Sequence, residues 1–207
     1  MKNKPEIVYV VDDDEAVRDS LTWLLESNGY LVKCLPSAER FLQSLAGDNK
    51  DNVACLILDV RMPGMSGLEL QERLMAEGIP MPISFITGHG DVSMAVSTMK
   101  KGAVDFIEKP FKESELKVLV EKMLARARVD YAKADTQKNT QNLLSKLTVR
   151  EKQVLERIVA GRLNKQIADD LNISIKTVEA HRANIMEKLN VNTVADLLRL
   201  ALLETNN

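Results

Sequence analysis

The chain has 207 residues, with 28 Lys and Arg against 30 Asp and Glu, a formal net charge of −2 and a hydrophobic content of 45%. That length accommodates one large domain or two small ones, and 28% charged residues among so many aliphatics excludes the composition of disordered chains. The balance also excludes a uniformly basic nucleic-acid coat, though not a small basic face on one part of the chain. Short apolar runs recur at 7–11 (IVYVV), 30–35 (YLVKCL), 53–59 (VACLILD), 82–87 (PISFIT) and 103–108 (AVDFIE). Amphipathic stretches alternate with them at 15–27, 37–46, 66–77, 91–101 and 112–124, and such alternation predicts βαβ units around a parallel sheet. Residues 1–124 therefore read as an α/β doubly wound domain with a five-stranded parallel sheet.

From 125 to 146 the apolar runs stop. The segment predicts a helical extension that turns into a linker around the polar KNTQN. Residues 147–207 contain helical patterns and no strand: 148–160 stopped by Gly161, 164–171 opened by Asn164, 175–189 opened by Ser174 and 193–203 opened by Asn192. This second domain is all-α with four helices, and at about 60 residues its core is marginal. No run of about 18 apolar residues is present, and the start MKNKPEIVYVVDDDE meets acids where a signal peptide is apolar, so the expectation is a cytoplasmic protein with no membrane contact. Cys34 and Cys55 lie in strand-like segments without CxxC spacing, and His89 and His181 are the only histidines. Buried, reduced thiols and no zinc site are expected.

Parallel α/β sheets bind ligands outside the carboxyl ends of their strands. Those ends here carry Asp12, Asp13 and Asp14 after the first strand, Asp59 after the third, Thr87 after the fourth and Lys109 after the fifth. Carboxylates gathered this closely need a cation or a proton. Oxygen ligands suit Mg²⁺, which takes one or two carboxylates, waters and a phosphate oxygen. The set fits phosphoryl transfer to a carboxylate. Asp59, held by a fully apolar strand, is the candidate nucleophile, and Asp12, Asp13, Asp59 and the backbone carbonyl of Arg61 are the candidate ligands of Mg²⁺ or Mn²⁺. Lys109 and Thr87 would serve the phosphoryl oxygens. Two classes remain open on these residues: a phosphorylation switch, and a metal-dependent phosphatase or phosphotransferase that uses Asp59 as nucleophile.

The segments VVDDDEAVR (10–18), LDVRMPGMSGLEL (58–70) and FITGHGDVSMAVSTMKKGAVDFIEKPF (85–111) resemble the receiver domain of two-component response regulators, and the third is similar to the nitrogen-fixation (FixJ-like) branch. The resemblance implies a phospho-acceptor at Asp59, which phosphorylates and dephosphorylates itself without being an enzyme on other substrates. It also implies metal ligands at Asp12 and Asp13, and a sensor histidine kinase as partner. It further implies a switch in which Thr87 moves onto the phosphoryl group and Phe106 swings inward, and a phosphorylation-dependent dimer contact at Val96, Lys100 and Asp105.

Helix, short turn and helix from 164 to 189 form a helix-turn-helix pattern whose second helix enters a major groove. Val178, His181, Ile185 and Leu189 make its core stripe, which leaves Lys176, Glu179, Ala180, Ala183, Asn184 and Glu187 exposed. Glu179, Ala180, Ala183 and Asn184 are candidates for base contact. Lys165, Lys176, Thr177, Arg182 and Lys188 are candidates for phosphate contact. Residues 147–191 resemble the LuxR-type DNA-binding domain of the same regulators. The last helix is too apolar for one face, and Leu198 and Leu202 are read as part of a second, self-associating face. Together these readings predict a transcriptional regulator that is phosphorylated at Asp59 and binds double-stranded promoter DNA as a homodimer, with RNA polymerase as a further partner. The charge divides accordingly: residues 1–124 hold 14 basic and 20 acidic side chains, and residues 143–207 hold 10 and 8.

Overall fold

In a computed structural model the described residues are 5–47, 52–88, 96 and 98–205, and side chains are described as far as Leu202. The chain forms two compact units, Met1–Tyr131 and Ala132–Asn207. Five strands, β1 (Glu6–Val11), β2 (Leu31–Leu35), β3 (Val53–Leu58), β4 (Ile83–Thr87) and β5 (Asp105–Glu108), make one parallel sheet in the order β2-β1-β3-β4-β5. Helices α1 (Glu15–Ser27), α2 (Ala38–Gly47), α3 (Gly67–Ala76) and α4 (Glu113–Leu144) follow or separate the strands. Strand residues alternate between the two faces. Ile7, Tyr9, Val11, Leu56 and Leu58 meet Phe41, Leu70 and Leu74 on one side, while Val8, Val10, Cys55 and Ile57 meet Leu21, Leu25, Leu116 and Val120 on the other. Covering both faces with helices is what a parallel sheet of continuous apolar strands requires. The expected doubly wound architecture is the observed one. The expected helix at 91–101 falls mostly outside the described residues, as does His89, although Val96 and residues 98–100 are helical.

The expected linker is different. Helix α4 does not end at KNTQN but runs to Leu144. No glycine or proline occurs between Pro110 and Gly161, so nothing in the backbone stops the helix. Arg126 pairs with Asp130, and Asn139 donates to Asp135, at i,i+4 spacing along its polar stretch. The early part of that stretch is tied to the first unit: Ala127 and Tyr131 pack against the core, and Arg128 makes a bidentate pair with Glu6 at 2.7 and 2.8 Å. Cys34 also departs from expectation. It is half-buried, with its Sγ 2.8 Å from the Thr22 hydroxyl, whereas Cys55 is fully buried and burial pushes its thiol up to about 12.

In the second unit, α5 (Val149–Val159), α6 (Asn164–Leu171), α7 (Ile175–Leu189) and α8 (Val194–Thr205) surround a core of Val154, Ile158, Ile167, Leu171, Val178, Ile185, Leu189 and Leu197. Gly161 takes φ +74° just past α5 as expected, and Ser174 caps α7 by accepting from the Thr177 N–H. Two openings differ from expectation. Leu163 holds the cap position of α6, with the Gln166 carboxamide accepting from its N–H, and Thr193 in place of Asn192 caps α8 by accepting from the Asp196 N–H. Asn172 and Asn190 close α6 and α7 in the left-handed region, which asparagine tolerates. No helix among the described residues is long and apolar enough to cross a membrane.

Candidate phosphoryl-acceptor and nucleic-acid sites

The register of the sheet assembles the acidic cluster. Val11 lies opposite Leu58, so the next residue of each strand, Asp12 and Asp59, emerges side by side, and the Asp59 N–H donates to the Val11 carbonyl at 2.8 Å. Thr87 and Glu108 are partners at the ends of β4 and β5, which brings Lys109 to the same rim, its N–H donating to the Thr87 carbonyl at 2.8 Å. Lys109 Nζ then donates to Asp12 Oδ2 at 2.8 Å and lies 3.7 Å from Asp59 Oδ1. Asp12, Asp59 and Thr87 retain 3%, 8% and 2% of their accessible surface, so this is a recessed site and not a solvated surface patch. Asp13 is exposed at its mouth.

Burial raises the Asp59 carboxyl above its ordinary value. The nearby charges of Asp12 and Asp13 add to that, while the Arg61 N–H (2.8 Å to Oδ2) and Lys109 oppose it. An acid held up by burial and by like charges gains most from a cation. Among the described residues no three His, Cys, Asp or Glu side chains are gathered as a ready-made metal cage. The described donors at the rim are instead the carboxylates of Asp12, Asp13 and Asp59, a sparse oxygen set of the kind that suits Mg²⁺ with its retained waters.

The loops that carry these residues are held by groups beyond the expected set. Asp14 caps α1 by accepting from the N–H groups of Ala16 and Val17, and Asp12 Oδ1 accepts from the Asp14 N–H at 2.9 Å. Arg18 Nη1 donates to the Asp12 carbonyl at 2.8 Å and to the Asp13 carbonyl at 2.9 Å. After Asp59, Glu39 of α2 accepts from the Met65 N–H at 2.9 Å, and this bond is the main reason its carboxyl is held below the usual range. Gly67 is required there, because a Cβ would stand 2.1 Å from the Asp59 carbonyl oxygen. The capping box of Ser66 and Glu69 was readable from the S-x-x-E spacing. Arg18 and Glu39 were not, because their acceptor and donor are main-chain groups that every residue carries.

Phe106 lies half-buried in β5 against the core. Val96 and Lys100 are exposed, whereas Asp105 pairs with Lys122 at 3.1 Å. In the second unit, Lys165, Lys176, Glu179, Ala180, Ala183 and Asn184 are exposed, and Thr177 and Arg182 are half-exposed. Lys188 departs from the expected phosphate set. Its Nζ donates to both oxygens of Glu151 at 2.7 and 2.9 Å, and Glu151 retains only 3% of its surface. Glu151 also completes a capping box with Thr148 at the start of α5, so this ion pair ties α7 to α5. Leu198 packs against the domain core, while Leu202 is exposed.

Comparison with known proteins agrees with both halves. The response regulator receiver domain family matches residues 8–121, and the family of bacterial regulatory proteins of luxR type matches residues 145–201. The transcriptional regulatory protein FixJ of Rhizobium meliloti is 47% identical over 195 residues, covering 94% of each chain. The response regulator protein TodT of Pseudomonas putida strain F1 is 44% identical over 200 residues, covering 97% of this chain and 87% of that one. The solved structure of the response regulator StyR matches with a TM-score of 0.83 and 45% identity, over 96% of this chain and 98% of that one. The chain belongs to the two-component response regulators that join a receiver domain to a LuxR-type DNA-binding domain, in their FixJ-like branch.

Proposed function

We propose that this phosphorylation-activated transcription regulator accepts its phosphoryl group on Asp59. The observation that carries this reading is a recessed carboxylate at the end of β3, beside Asp12 and within 3.7 Å of the Lys109 ammonium. An Asp59 oxygen attacks phosphorus, the bond from phosphorus to the imidazole of a sensor kinase phosphohistidine breaks, and the imidazole leaves with a proton. Asp12, Asp13, Asp59 and the Arg61 carbonyl would hold Mg²⁺ or Mn²⁺, which when bound draws charge from the phosphoryl oxygens. Lys109 neutralises a further oxygen and the Thr87 hydroxyl donates to another. Water later cleaves the same acyl phosphate, so turnover is confined to the protein's own aspartate.

Phosphorylation adds about −1.5 to −2 of charge and new acceptor oxygens, and favours the state in which Thr87 and Lys109 meet them and Phe106 moves inward. That state exposes a homodimer contact through Val96, Lys100 and Asp105, with Leu202 contributing from α8. In the second unit α7 reads base edges through Glu179, Ala180, Ala183 and Asn184, while Lys165, Lys176, Thr177 and Arg182 contact phosphates. Residues 125–146 connect the two functions, and the dimer on promoter DNA engages RNA polymerase in the cytoplasm.

The test is incubation of the full chain with acetyl phosphate and Mg²⁺. One hydroxylamine-labile phosphoryl group per chain is expected, lost in the Asp59→Asn variant. Equal labelling of that variant would overturn the acceptor assignment, and continued phosphate release far beyond one per chain would support the phosphatase class.

A further inference from the structure

Arg18 is an unexpected residue to find where it is. It is the fourth residue of α1, with its side chain folded back toward the positive end of the helix, where a cation opposes the helix dipole. It is not needed to satisfy that end, because Asp14 already caps it. Its Nη1 instead bonds two consecutive carbonyls, those of Asp12 and Asp13, which precede the helix and lie outside its hydrogen-bond ladder. Asp12 has further anchors in the Asp14 N–H and the Lys109 ammonium. The Asp13 carboxylate has neither a hydrogen bond nor an ion pair among the described residues, although its charge is felt by Asp59. Its place is therefore set through its main chain.

We infer that Arg18 is a positioning residue for divalent-cation binding: by gripping the Asp12 and Asp13 carbonyls it fixes the main chain that carries both carboxylates at the rim where Asp59 lies. This rests on the reading of the cluster as a cation site. It assigns Arg18 a role opposite in sign to its charge. Through space, a guanidinium beside a site for a dication weakens binding, so neutralising it should tighten that binding. Through the backbone, removing it frees the Asp13 loop and weakens binding, as loss of an outer support of metal ligands does.

The experiment is calorimetric titration of the unphosphorylated full chain with MgCl₂, with thermal unfolding followed on the same samples. Arg18→Met is expected to bind Mg²⁺ about tenfold more weakly, the lower end of the range for outer-shell partners. Arg18→Lys, which keeps a cationic donor on a shorter stem, is expected to fall between Arg18→Met and the unmodified protein. Tighter binding by Arg18→Met would show that only its charge matters and overturns the proposal. A lowered Tm with unchanged Mg²⁺ affinity also overturns it, leaving a purely structural residue. Asp13→Asn is the control for the underlying reading. If it binds Mg²⁺ as the unmodified chain does, the cation-site assignment fails and the role of Arg18 falls with it. If Asp13→Asn loses binding while Arg18→Met does not, only the Arg18 proposal fails.

Discussion

At the scale of single residues, the site is maintained against the stability of the fold. Asp59 is recessed, and its carboxyl is raised above the ordinary 3.8 first by burial and then by Asp12 and Asp13. A folded-state value above the unfolded one means that the native protein binds the proton more tightly. Stability should then fall as pH rises from 3.8 through the raised value, as the unfolded chain becomes the easier place to carry the charge. Asp59→Asn removes that loss, so its Tm should exceed that of the unmodified protein at neutral pH and converge with it in acid. Mg²⁺ should raise the Tm of the unmodified protein more than that of the variant. A Tm for Asp59→Asn that is equal or lower at neutral pH would contradict the electrostatic account. Asp12, Asp59, Thr87 and Lys109 were legible as neighbours in the sequence, because each closes or follows a strand and the parallel register carries strand ends to one rim. Arg18 and Glu39 were not, since they act on backbone groups that leave no trace in residue type.

At the scale of elements, local periodicity gives the helices, while the caps of α6 and α8 and the long-range contacts differ from or escape it. The helix at Glu15–Ser27 has the expected bounds because its period and its Asp14 cap are local. The extent of α4 follows from a lack of Gly and Pro that the sequence shows and its polar composition obscures, whereas the anchoring of Ala127 and Tyr131 against the core is a long-range contact that no local signal gives. Lys188 shows the same limit. Helical spacing places it beside the exposed side chains of α7, and only the packing of α7 on α5 shows that its ammonium belongs to Glu151. The T-x-x-E spacing of Thr148 and Glu151 signals the cap but not the ion pair. Lys188→Met should therefore cost about 1–3 kcal/mol of stability, less than a fully buried pair because the lysine is partly exposed. The Glu151 carboxyl is held below 4.5, first by Lys188 and further by Thr148. The stabilisation is thus complete above pH 4.5 and lost as pH falls through the depressed value. Urea unfolding of the full chain, followed by circular dichroism across this range, should show a shallower acid loss in Lys188→Met. An unchanged acid profile would mean that the pair contributes nothing measurable.

At the scale of the whole molecule, a net charge of −2 conceals a division of labour. Residues 1–124 carry a net −6, whereas residues 125–142 and 143–207 each carry +2. An acidic receiver suits a domain that gathers carboxylates at one rim, and its net charge repels DNA phosphates. An excess of only two positive charges in the DNA-binding part means that affinity rests on a few placed cations. With Lys188 held by Glu151, Lys165, Lys176 and Arg182 are the cations of the proposed phosphate set that stay exposed or half-exposed. Three phosphate contacts per protomer, with the Thr177 hydroxyl adding none to the charge, give a slope of log affinity against log salt of roughly −2.7 per protomer. Fluorescence anisotropy on a promoter fragment selected with the phosphorylated protein measures this directly. Lys165→Ala and Lys176→Ala should each make the slope shallower by about 1, and should weaken binding alike on matched and mismatched fragments. Lys188→Ala, studied well below its Tm, should leave the slope where it is. A slope shifted by Lys188→Ala as much as by Lys165→Ala would mean that DNA draws Lys188 away from Glu151, and the ion pair would then be a contact that the operator breaks.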